Sequence, residues 1–390
     1  MQPKTNVEFD EKSFERIKRT IRNMSLASRE RQSKPDFATG LPEEIGLQLT
    51  NRCNLRCKHC YQWSEDGHHN NMDSCVQKMD LDFGIIEKIF SETKDVKSNL
   101  YIWGGEPLCY EHWDGFCDLL AEDPRWTVLC TNATGMEDNL ESLLKISGSL
   151  AVLVSLDGFE QENDFIRGRG TYKKVIRGID TLLDCKAKGA FRGEVSVNCV
   201  ITDSMVGKLF DYLTYFEEKG VNTVYFCFPW YIPEDSCLKM DEFFEDKFNW
   251  LPGYDKNRKK SWHSYTYNLK HERIDLLKKD LDKINAKTWK IRVRYQPALE
   301  MDEVENFITG GAKTGQNRKS CLAASNRMNV NADGTVTVCK MFPEFTIGDL
   351  RELSVGDLWN SEQYKKARLI IDQGLMPICP KCILLYLHGR

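Results

Sequence analysis

The sequence lacks a long apolar run, which argues against a membrane-spanning helix. No stretch approaches the roughly 20 consecutive apolar residues that cross a bilayer. The apolar core of a secretory signal is also missing, because charged residues such as Lys4, Glu8 and Glu11 interrupt the N-terminus. Positive charge is not in excess either: the net charge is −4, so there is no electrostatic footprint for nucleic acid. We expect a cytoplasmic protein without membrane or nucleic-acid partners.

Cysteine, by contrast, is abundant, with 15 among 390 residues. Because a secretion signal is missing, these cysteines are not expected to form disulfides, and ligation of a metal or an iron–sulfur cluster is favoured. The remaining composition, with 41% hydrophobic and 29% charged residues, is that of an ordinary globular protein. A chain of this length is expected to form two domains.

Three of the cysteines occur close together after a predicted strand. Cys53, Cys57 and Cys60 follow the extended-looking stretch Ile45–Thr50 with the spacing C-x3-C-x2-C. Their thiolates can converge on one point, one ligand short of the four cysteines that a [4Fe–4S] cluster normally takes. A cluster held by three keeps one iron open for a reactive ligand. Zinc is the alternative on spacing alone, although zinc sites more often combine two C-x2-C pairs.

This motif resembles that of the radical S-adenosylmethionine (SAM) superfamily. The resemblance implies that the amino and carboxylate groups of SAM chelate the open iron. It also implies that one electron from the reduced cluster cleaves SAM to methionine and a 5′-deoxyadenosyl radical, which abstracts a hydrogen atom from the substrate. The cofactor carries this chemistry and the protein positions it. A flavodoxin- or ferredoxin-like protein is the expected electron donor.

Strand and helix patterns alternate after residue 44. The strand candidates are Ile45–Thr50, Leu100–Trp103, Thr127–Thr131, Leu150–Ser155, Glu194–Ile201 and Thr223–Phe228. The helix candidates between them are Leu81–Thr93, Glu111–Glu122, Met136–Ile146, Tyr172–Lys188 and Ser204–Lys219. Such alternation predicts βαβ units and a parallel sheet, hence an α/β fold. The resemblance implies a partial (β/α)6 TIM-like barrel, whose reactive residues lie at the carboxyl ends of the strands.

The second predicted strand ends in Gly104-Gly105-Glu106-Pro107. Glycines let backbone approach a ligand closely, and Pro107 restricts the exit of the chain. The resemblance implies that Gly104, Gly105 and Glu106 hold the methionyl amino group of SAM. On this basis, a larger side chain at Gly105 is expected to weaken SAM binding while cluster content stays normal. A plain strand-to-helix turn is the alternative.

Further polar residues follow other strands. By resemblance, Ser155 and Asp157 contact the ribose and carboxylate of SAM, and His59 occupies the aromatic position near the adenine. Arg167 lies in a stretch that resembles the IRG-x-GTY sequence of peptide-modifying members, and it or Arg169 suits a bidentate contact with the SAM carboxylate. The alternatives are an ordinary Asp-Gly turn, a surface histidine and a helix start with solvated arginines.

Two residues on the last predicted strands complete the candidate site. Asn198 on the fifth strand is expected to contact SAM. Cys227, near the end of the sixth strand, is a tentative catalytic residue that gives a hydrogen atom to a substrate radical. The alternative for Cys227 is a small buried core residue, which is how free cysteines usually behave.

A second cysteine set lies near the C-terminus, formed by Cys321, Cys339, Cys379 and Cys382. Between the first two, an Asp-Gly turn joins two predicted strands, and such a hairpin brings Cys321 and Cys339 side by side. A helix over Val355–Asp372 is predicted next. Four thiols make a closed site, which also fits structural zinc.

The second set resembles the SPASM/twitch auxiliary-cluster domain of radical SAM enzymes. The sequence ends eight residues after Cys382 without the further cysteines of the full SPASM pattern, so the twitch form with one auxiliary [4Fe–4S] cluster is expected. The predicted domains are an N-terminal helical extension (1–43), the barrel (44–235), a linker or lid (236–300) and a small α+β auxiliary domain (301–390). A helix is predicted over Glu11–Asn23 and a linker over Ser25–Thr39.

Together these resemblances predict a radical SAM enzyme of oxidoreductase or maturase type. Its predicted substrate is a ribosomally made peptide, which it crosslinks, oxidises or epimerises, although the region before residue 44 is short for a separate leader-binding domain. The alternative is a dehydrogenase acting on a small-molecule alcohol such as a sugar or aminocyclitol, with the auxiliary cluster accepting the second electron. A second alternative is a non-catalytic iron–sulfur or zinc protein.

Overall fold

A ten-stranded sheet forms the centre of the computed structural model, which describes residues 2–8, 10–70 and 72–390. The strands are β1 (Lys4–Thr5), β2 (Glu44–Gln48), β3 (Asn99–Trp103), β4 (Thr127–Thr131), β5 (Leu150–Ser155), β6 (Glu194–Val200), β7 (Thr223–Cys227), β8 (Thr288–Trp289), β9 (Arg292–Gln296), β10 (Arg327–Val330), β11 (Thr335–Thr337) and β12 (Thr346–Asp349). Their order in the large sheet is β12-β11-β10-β2-β3-β4-β5-β6-β7-β9, and β1 pairs with β8 separately.

Helices occupy the connections between the strands. They are α1 (Glu11–Glu30), α2 (Ser74–Gln77), α3 (Phe83–Glu92), α4 (Trp113–Glu122), α5 (Leu140–Lys145), α6 (Glu160–Arg167), α7 (Thr171–Ala187), α8 (Leu209–Lys219), α9 (Glu234–Phe248), α10 (Ile274–Ala286), α11 (Val304–Ile308), α12 (Ala323–Asn326), α13 (Val355–Trp359), α14 (Glu362–Asp372) and α15 (Ile383–His388). Among the described residues, none of these helices is both long and apolar enough to span a membrane.

The six predicted barrel strands are confirmed as β2 to β7, which lie side by side in chain order and pair in parallel. In β5, Leu150, Ala151 and Val152 are all buried, as expected for a parallel strand with both faces covered, whereas β3 and β4 alternate buried with half-buried residues. The covering helices contribute apolar faces, such as Ile85, Ile86, Ile89 and Phe90 of α3. The α/β prediction is therefore confirmed.

The sequence prediction missed a seventh parallel strand, β9, which pairs with β7 from within the stretch predicted as a linker. Val293 and Tyr295 of β9 are buried while Arg294 between them is exposed. This alternation is typical of a half-buried strand. The arginines at alternate positions obscured it, and charged side chains of this kind are common on sheet edges.

At the other edge, β10 extends the barrel sheet by pairing in parallel with β2, with Val330 opposite Leu47. The predicted hairpin is confirmed, since β10 pairs with β11 in antiparallel fashion. Gly334 at its tip adopts φ +82°, a conformation that glycine tolerates without strain. The C-terminal cysteine region is thus joined to the barrel by backbone hydrogen bonds.

Two of the predicted segments are wrong in extent. The helix expected over Val355–Asp372 is two helices, because Ser361 caps α14 by accepting a hydrogen bond from Tyr364 N at 3.2 Å. The expected linker after residue 24 is helical up to Glu30, since α1 continues past its predicted end. Ala27 in that part is completely buried, so tertiary packing outweighs the polar local composition.

Candidate active site and auxiliary cysteine site

A cavity of about 250 Å3, called here the inner cavity, lies at the carboxyl ends of the parallel strands. The predicted site residues that line it are Cys53, Cys57, His59, Cys60, Gly104, Gly105, Glu106, Ser155, Arg167, Asn198 and Cys227. Pro107 and Asp157 are buried and do not line it. The structure therefore brings residues from five strand ends to the position where parallel barrels carry their reactive groups.

The cysteine loop is seated directly on the Gly104-Gly105-Glu106 turn. Gly105 N donates to Thr50 O at 2.8 Å, and Glu106 N donates to Arg52 O at 2.7 Å. A Cβ atom at Gly105 would lie 2.1 Å from Arg52 O, which no side chain can occupy without backbone movement. Glycine at 105 is thus required by the cysteine loop itself, in addition to any contact with a ligand.

Burial controls the protonation of the three loop thiols. It raises the pKa of the Cys53 thiol to about 12 and that of the Cys57 thiol to about 11, and it also raises the pKa of Cys60. The guanidinium of Arg167, with one nitrogen 3.8 Å from the Cys57 sulfur, partly offsets this effect at Cys57. Because thiolates are the ligating form, cluster binding here releases protons.

Asp157 holds two cavity residues from behind. Its Oδ2 lies 2.6 Å from His59 Nε2 and 2.6 Å from Arg167 Nε, while its Oδ1 accepts from Val200 N at 2.8 Å. Burial alone would raise the pKa of the Asp157 carboxyl, but the charges of Arg167 and His59 hold it well below its usual range. Asp157 therefore orients the imidazole and guanidinium that line the inner cavity.

Glu106 connects the ends of β3 and β4 while lining the cavity. Its carboxylate accepts from Leu108 N at 3.1 Å, Thr131 Oγ1 at 2.5 Å and Asn132 N at 2.7 Å. Burial raises the pKa of Glu106, and these hydrogen bonds oppose the rise. A carboxylate accepts roughly four hydrogen bonds, so one acceptor position remains for a ligand amino group.

Cys227 reaches the inner cavity from the end of β7. Its thiol lies 2.8 Å from Asn198 Oδ1 and 3.1 Å from Gln296 Oε1, so it donates to amide oxygens of the two flanking strands. Burial raises its pKa far above the usual value, which keeps the S–H bond intact. Cys237, in contrast, lies on α9 with its thiol 3.5 Å from Trp262 O and does not line the cavity.

A second, larger space of about 590 Å3, the outer cavity, adjoins the inner one. Four residues line both cavities and form the boundary between them: Tyr61, Gln62, Trp103 and Lys340. The outer cavity is bounded by the segment after the cysteine loop, by residues 258–264 and by the hairpin of β10 and β11. The outer cavity therefore lies between the barrel and the auxiliary region.

Sequence reasoning missed several lining residues. They are Tyr61, Gln62, Tyr101, Trp103, Cys130, Val200, Tyr265, Tyr267 and Lys340. Tyr265 and Tyr267 lie in the stretch predicted as a linker or lid, and only the fold brings them to the site. For Lys340, only its position directly after Cys339 could have indicated a place near the site from the sequence. Burial and the charge of Arg327 lower the pKa of Lys340 to about 7, and its ammonium lies 3.7 Å from the centre of the Tyr101 ring.

The second cysteine set is also assembled by the fold. Burial raises the pKa of the Cys379 thiol, and the charges of Cys382, Cys321 and Cys339 add to this rise. In the described ranges no three His, Cys, Asp or Glu side chains are grouped as ligands of a single metal ion. A [4Fe–4S] cluster instead takes its cysteines at separate irons, and four thiols supply its full ligand set.

The N-terminal helix supports this second site. Arg31, which caps α1, is completely buried and donates to the backbone oxygen of Cys321 at 2.6 Å. Its guanidinium also pairs with Asp372 at 2.7 Å, and the C-terminal Arg390 donates to Ser28 Oγ of α1 at 3.2 Å. Contacts separated by almost 300 positions leave no local sequence signal.

Sequence comparison identifies the two parts of the chain. The radical SAM superfamily profile matches residues 47–205, and the SPASM iron–sulfur cluster-binding domain profile matches residues 321–383. Pre-heme d1 synthase of Dinoroseobacter shibae is 28% identical over 195 residues, covering 49% of this chain and 45% of that protein. Mycofactocin maturase MftC of Mycobacterium ulcerans is 27% identical over 188 residues, covering 47% of each. The chain thus spans less than half the length of these curated relatives.

Solved structures share the architecture over most of the chain. Streptococcus suis SuiB bound to SAM superposes with a TM-score of 0.56 at 15% identity, covering 93% of this chain and 74% of SuiB. The protein anSMEcpe with bound SAM superposes with a TM-score of 0.53 at 18% identity, covering 82% of each chain. These likenesses establish the fold. The two profile matches show that the chain belongs to the radical SAM superfamily, whose enzymes use SAM and a [4Fe–4S] cluster, and that it carries a SPASM iron–sulfur cluster-binding domain.

Proposed function

We propose that this enzyme modifies a peptide by hydrogen abstraction in the inner cavity. The observation that carries the proposal is the outer cavity, which is larger than the inner one and meets it at Tyr61, Gln62, Trp103 and Lys340. In this proposal that boundary is the passage through which the substrate reaches the inner cavity. Its lining mixes aromatic, basic and acidic side chains, as a peptide with a polar backbone requires. Two relatives support this substrate class, since SuiB was solved with the precursor peptide SuiA and MftC is named a maturase.

In this proposal Cys53, Cys57 and Cys60 hold the SAM-binding cluster, which when loaded supplies the hydrogen-abstracting chemistry. Glu106 keeps an acceptor position for an amino group of SAM. Arg167, oriented by Asp157, presents a guanidinium to a carboxylate, a pairing that Arg makes with two parallel hydrogen bonds. The alternative of a simple turn at Gly104-Gly105 does not account for the acceptor position that the buried Glu106 carboxylate leaves open towards the cavity.

The same proposal assigns residues of the passage to the substrate. Trp103 Nε1 and Trp230 Nε1 are buried donors without an acceptor among the described residues, and both side chains line the inner cavity. Buried donors are costly when unpaired, and peptide carbonyl groups would satisfy them. Cys321, Cys339, Cys379 and Cys382 hold one auxiliary cluster close to this passage.

The experiment uses the holoenzyme, loaded with both clusters without oxygen, together with SAM, dithionite and the short peptide encoded beside its gene. We expect 5′-deoxyadenosine to form together with a change in the peptide, detected as a loss of two hydrogens or as deuterium uptake from heavy water. Deuterium placed on the modified residue should appear in 5′-deoxyadenosine. The Cys53→Ala/Cys57→Ala/Cys60→Ala variant serves as the inactive control.

Two results would contradict the proposal in different ways. If the peptide stays unchanged while a sugar or aminocyclitol alcohol is oxidised with formation of 5′-deoxyadenosine, the substrate class is wrong but the chemistry holds. If no 5′-deoxyadenosine forms with any reductant, the assignment of Cys53, Cys57 and Cys60 fails as well.

A further inference from the structure

Lys340 lies on the boundary between the two cavities and directly follows Cys339 of the second cysteine set. Its ammonium lies 3.7 Å from the centre of the Tyr101 ring and 5.4 Å from the centre of the Trp103 ring. Both distances are typical of cation–π contacts. The two rings, which belong to β3, thus hold the ammonium at the place where the inner cavity meets the outer one.

Within the ranges that the structure describes, the Lys340 ammonium has neither an ion-pair partner nor a hydrogen-bond acceptor. Its charged or titratable neighbours are Arg327, which is also a cation, the carboxylate of Glu44, and the thiols of Cys130 and Cys382. The Glu44 carboxylate pairs with Arg327 instead. An ammonium has three donors, and aromatic rings offer it no oxygen. Such donors are costly to leave unpaired away from bulk water, above all on a charged group.

The other charged groups that line the inner cavity already have counterparts. Arg167 pairs with Asp157, which also holds His59. The carboxylate of Glu106 accepts three hydrogen bonds and is assigned above to an amino group of SAM. The positive charge of Lys340 is left over from this balance, so a ligand that fits beside it carries a negative charge.

A second donor belongs to one of the rings that hold this ammonium. Trp103 Nε1 is buried and has no acceptor among the described residues, and Trp103 lines both cavities as Lys340 does. A peptide carbonyl oxygen would satisfy the indole N–H, but only an anion would also neutralise the ammonium. A carboxylate does both, because it accepts roughly four hydrogen bonds and makes its stronger ones with cations.

We propose that Lys340 and Trp103 form a carboxylate-binding site, which selects a substrate with an acidic group close to the residue that is modified. This inference rests on the proposed function, in which the reacting residue enters the inner cavity and the rest of the peptide occupies the outer one. The acidic group is then an Asp or Glu side chain near the reacting residue, or the C-terminal carboxylate of the peptide. The carboxylate of SAM stays assigned to Arg167.

The test combines variants of the enzyme with variants of the substrate. The holoenzyme, with SAM and dithionite, is given the short peptide encoded beside its gene and a set of altered peptides. In this set each Asp or Glu is replaced singly by Asn or Gln, and one further peptide has an amidated C-terminus. One of these changes should lower kcat/KM of the wild type at least about tenfold, since a hydrogen bond between charged groups is lost.

The enzyme variants show which side chain causes this preference. With Lys340→Met, the original and the altered peptide should react with equal kcat/KM, because the ammonium that distinguishes them is gone. Trp103→Phe keeps an aromatic ring beside Lys340 but removes the indole N–H, so it should reduce the preference only in part. Lys279→Met, at an exposed position on α10, removes a lysine outside both cavities and should keep the preference of the wild type.

Three results would overturn the proposal. The first is a wild-type enzyme that modifies all of the peptides equally well, a result that needs no variant to fold. The second is a Lys340→Met enzyme that loses iron and slows with both peptides by the same factor, since Lys340 would then serve only the cysteine site beside it. The third is weaker SAM binding by Lys340→Met with an unchanged peptide preference, which would assign the ammonium to the carboxylate of SAM. A wild type that leaves every peptide unmodified but oxidises a sugar or aminocyclitol alcohol would instead refute the proposed function itself.

Discussion

The two cysteine sites of this enzyme differ in how the chain assembles them. The first takes Cys53, Cys57 and Cys60 from a single loop, which rests on the adjacent Gly105 turn through short backbone hydrogen bonds. The second gathers four cysteines from three separate segments and depends on Arg31 from the N-terminal helix. A local site needs little more than its own loop and one neighbour, whereas a distributed site needs most of the fold in place.

The largest effect is expected from removing the local ligands. Cys53→Ala/Cys57→Ala/Cys60→Ala should abolish formation of 5′-deoxyadenosine and leave about half of the iron, since one of two cysteine-held clusters is lost. The protein should still fold, because the backbone hydrogen bonds of the loop with the Gly105 turn and with α6 do not involve the thiols. Iron analysis and a SAM-cleavage assay with dithionite check this. Cleavage of SAM by the triple variant would refute the role of this loop.

The corresponding change in the distributed site should separate SAM cleavage from product formation. Cys382→Ala should still cleave SAM, yet it should yield no product if the auxiliary cluster accepts the second electron. If the cluster is purely structural, the variant should lose both activities and become insoluble, because metal binding contributes folding energy. Product formation at the wild-type rate would exclude the auxiliary cluster from the reaction.

Gly105→Ala tests whether the loop of Cys53, Cys57 and Cys60 depends on its close contact with the Gly105 turn. Since the added Cβ would meet Arg52 O at 2.1 Å, the cysteine loop must move, and we expect loss of the SAM-binding cluster together with SAM affinity. This replaces the sequence-based expectation of normal cluster content. Gly356→Ala is the control, because its Cβ would have no neighbour closer than 3.8 Å. Iron analysis and electron paramagnetic resonance measure the cluster content. Full cluster content in Gly105→Ala would show that the cysteine loop does not depend on glycine at position 105.

Arg31→Met should act on the distributed site alone. Removing the buried guanidinium leaves Asp372 without its partner and should lower the free energy of unfolding by about 3 kcal/mol. It also removes a positive charge beside Cys321, so the auxiliary cluster should become harder to reduce in a redox titration. SAM cleavage should persist. Arg29→Met, which breaks an exposed pair with Glu30, should cost less than about 1 kcal/mol, and equal effects of the two variants would count against the role of Arg31.

Cys227→Ser should give the smallest change. If its thiol returns a hydrogen atom to a substrate radical, the variant should cleave SAM normally but form less of the correct product, because an O–H bond is too strong to give up hydrogen. Its hydrogen bonds to Asn198 and Gln296 can be kept by a hydroxyl, so folding should be unaffected. Unchanged product would leave Cys227 as a small buried residue, its expected alternative role.

The same contrast decides what the sequence could predict. The spacing of Cys53, Cys57 and Cys60 and the Gly104-Gly105-Glu106 turn are local patterns, and the fold places all of these residues at one cavity. The six alternating strands were predictable for the same reason, since each carries its own apolar period.

What the sequence could not predict depends on distant contacts. Arg31 touches Cys321 only after both ends of the chain have folded. Tyr265 and Lys340 line the cavity because separate segments converge on the barrel mouth. The edge strand β9 has arginines at alternate positions, so its strand pattern became clear only once its pairing with β7 was known.

The pairing of β10 with β2 has a consequence for electron transfer. The chain leaves β2 towards Cys53 and leaves β11 towards Cys339, and β10 lies between these two strands and pairs with both, so one continuous sheet joins the two proposed cluster sites. A hinge between two bodies would let the tunnelling distance fluctuate with every opening motion. In this protein the strand pairing that places Val330 opposite Leu47 fixes that distance.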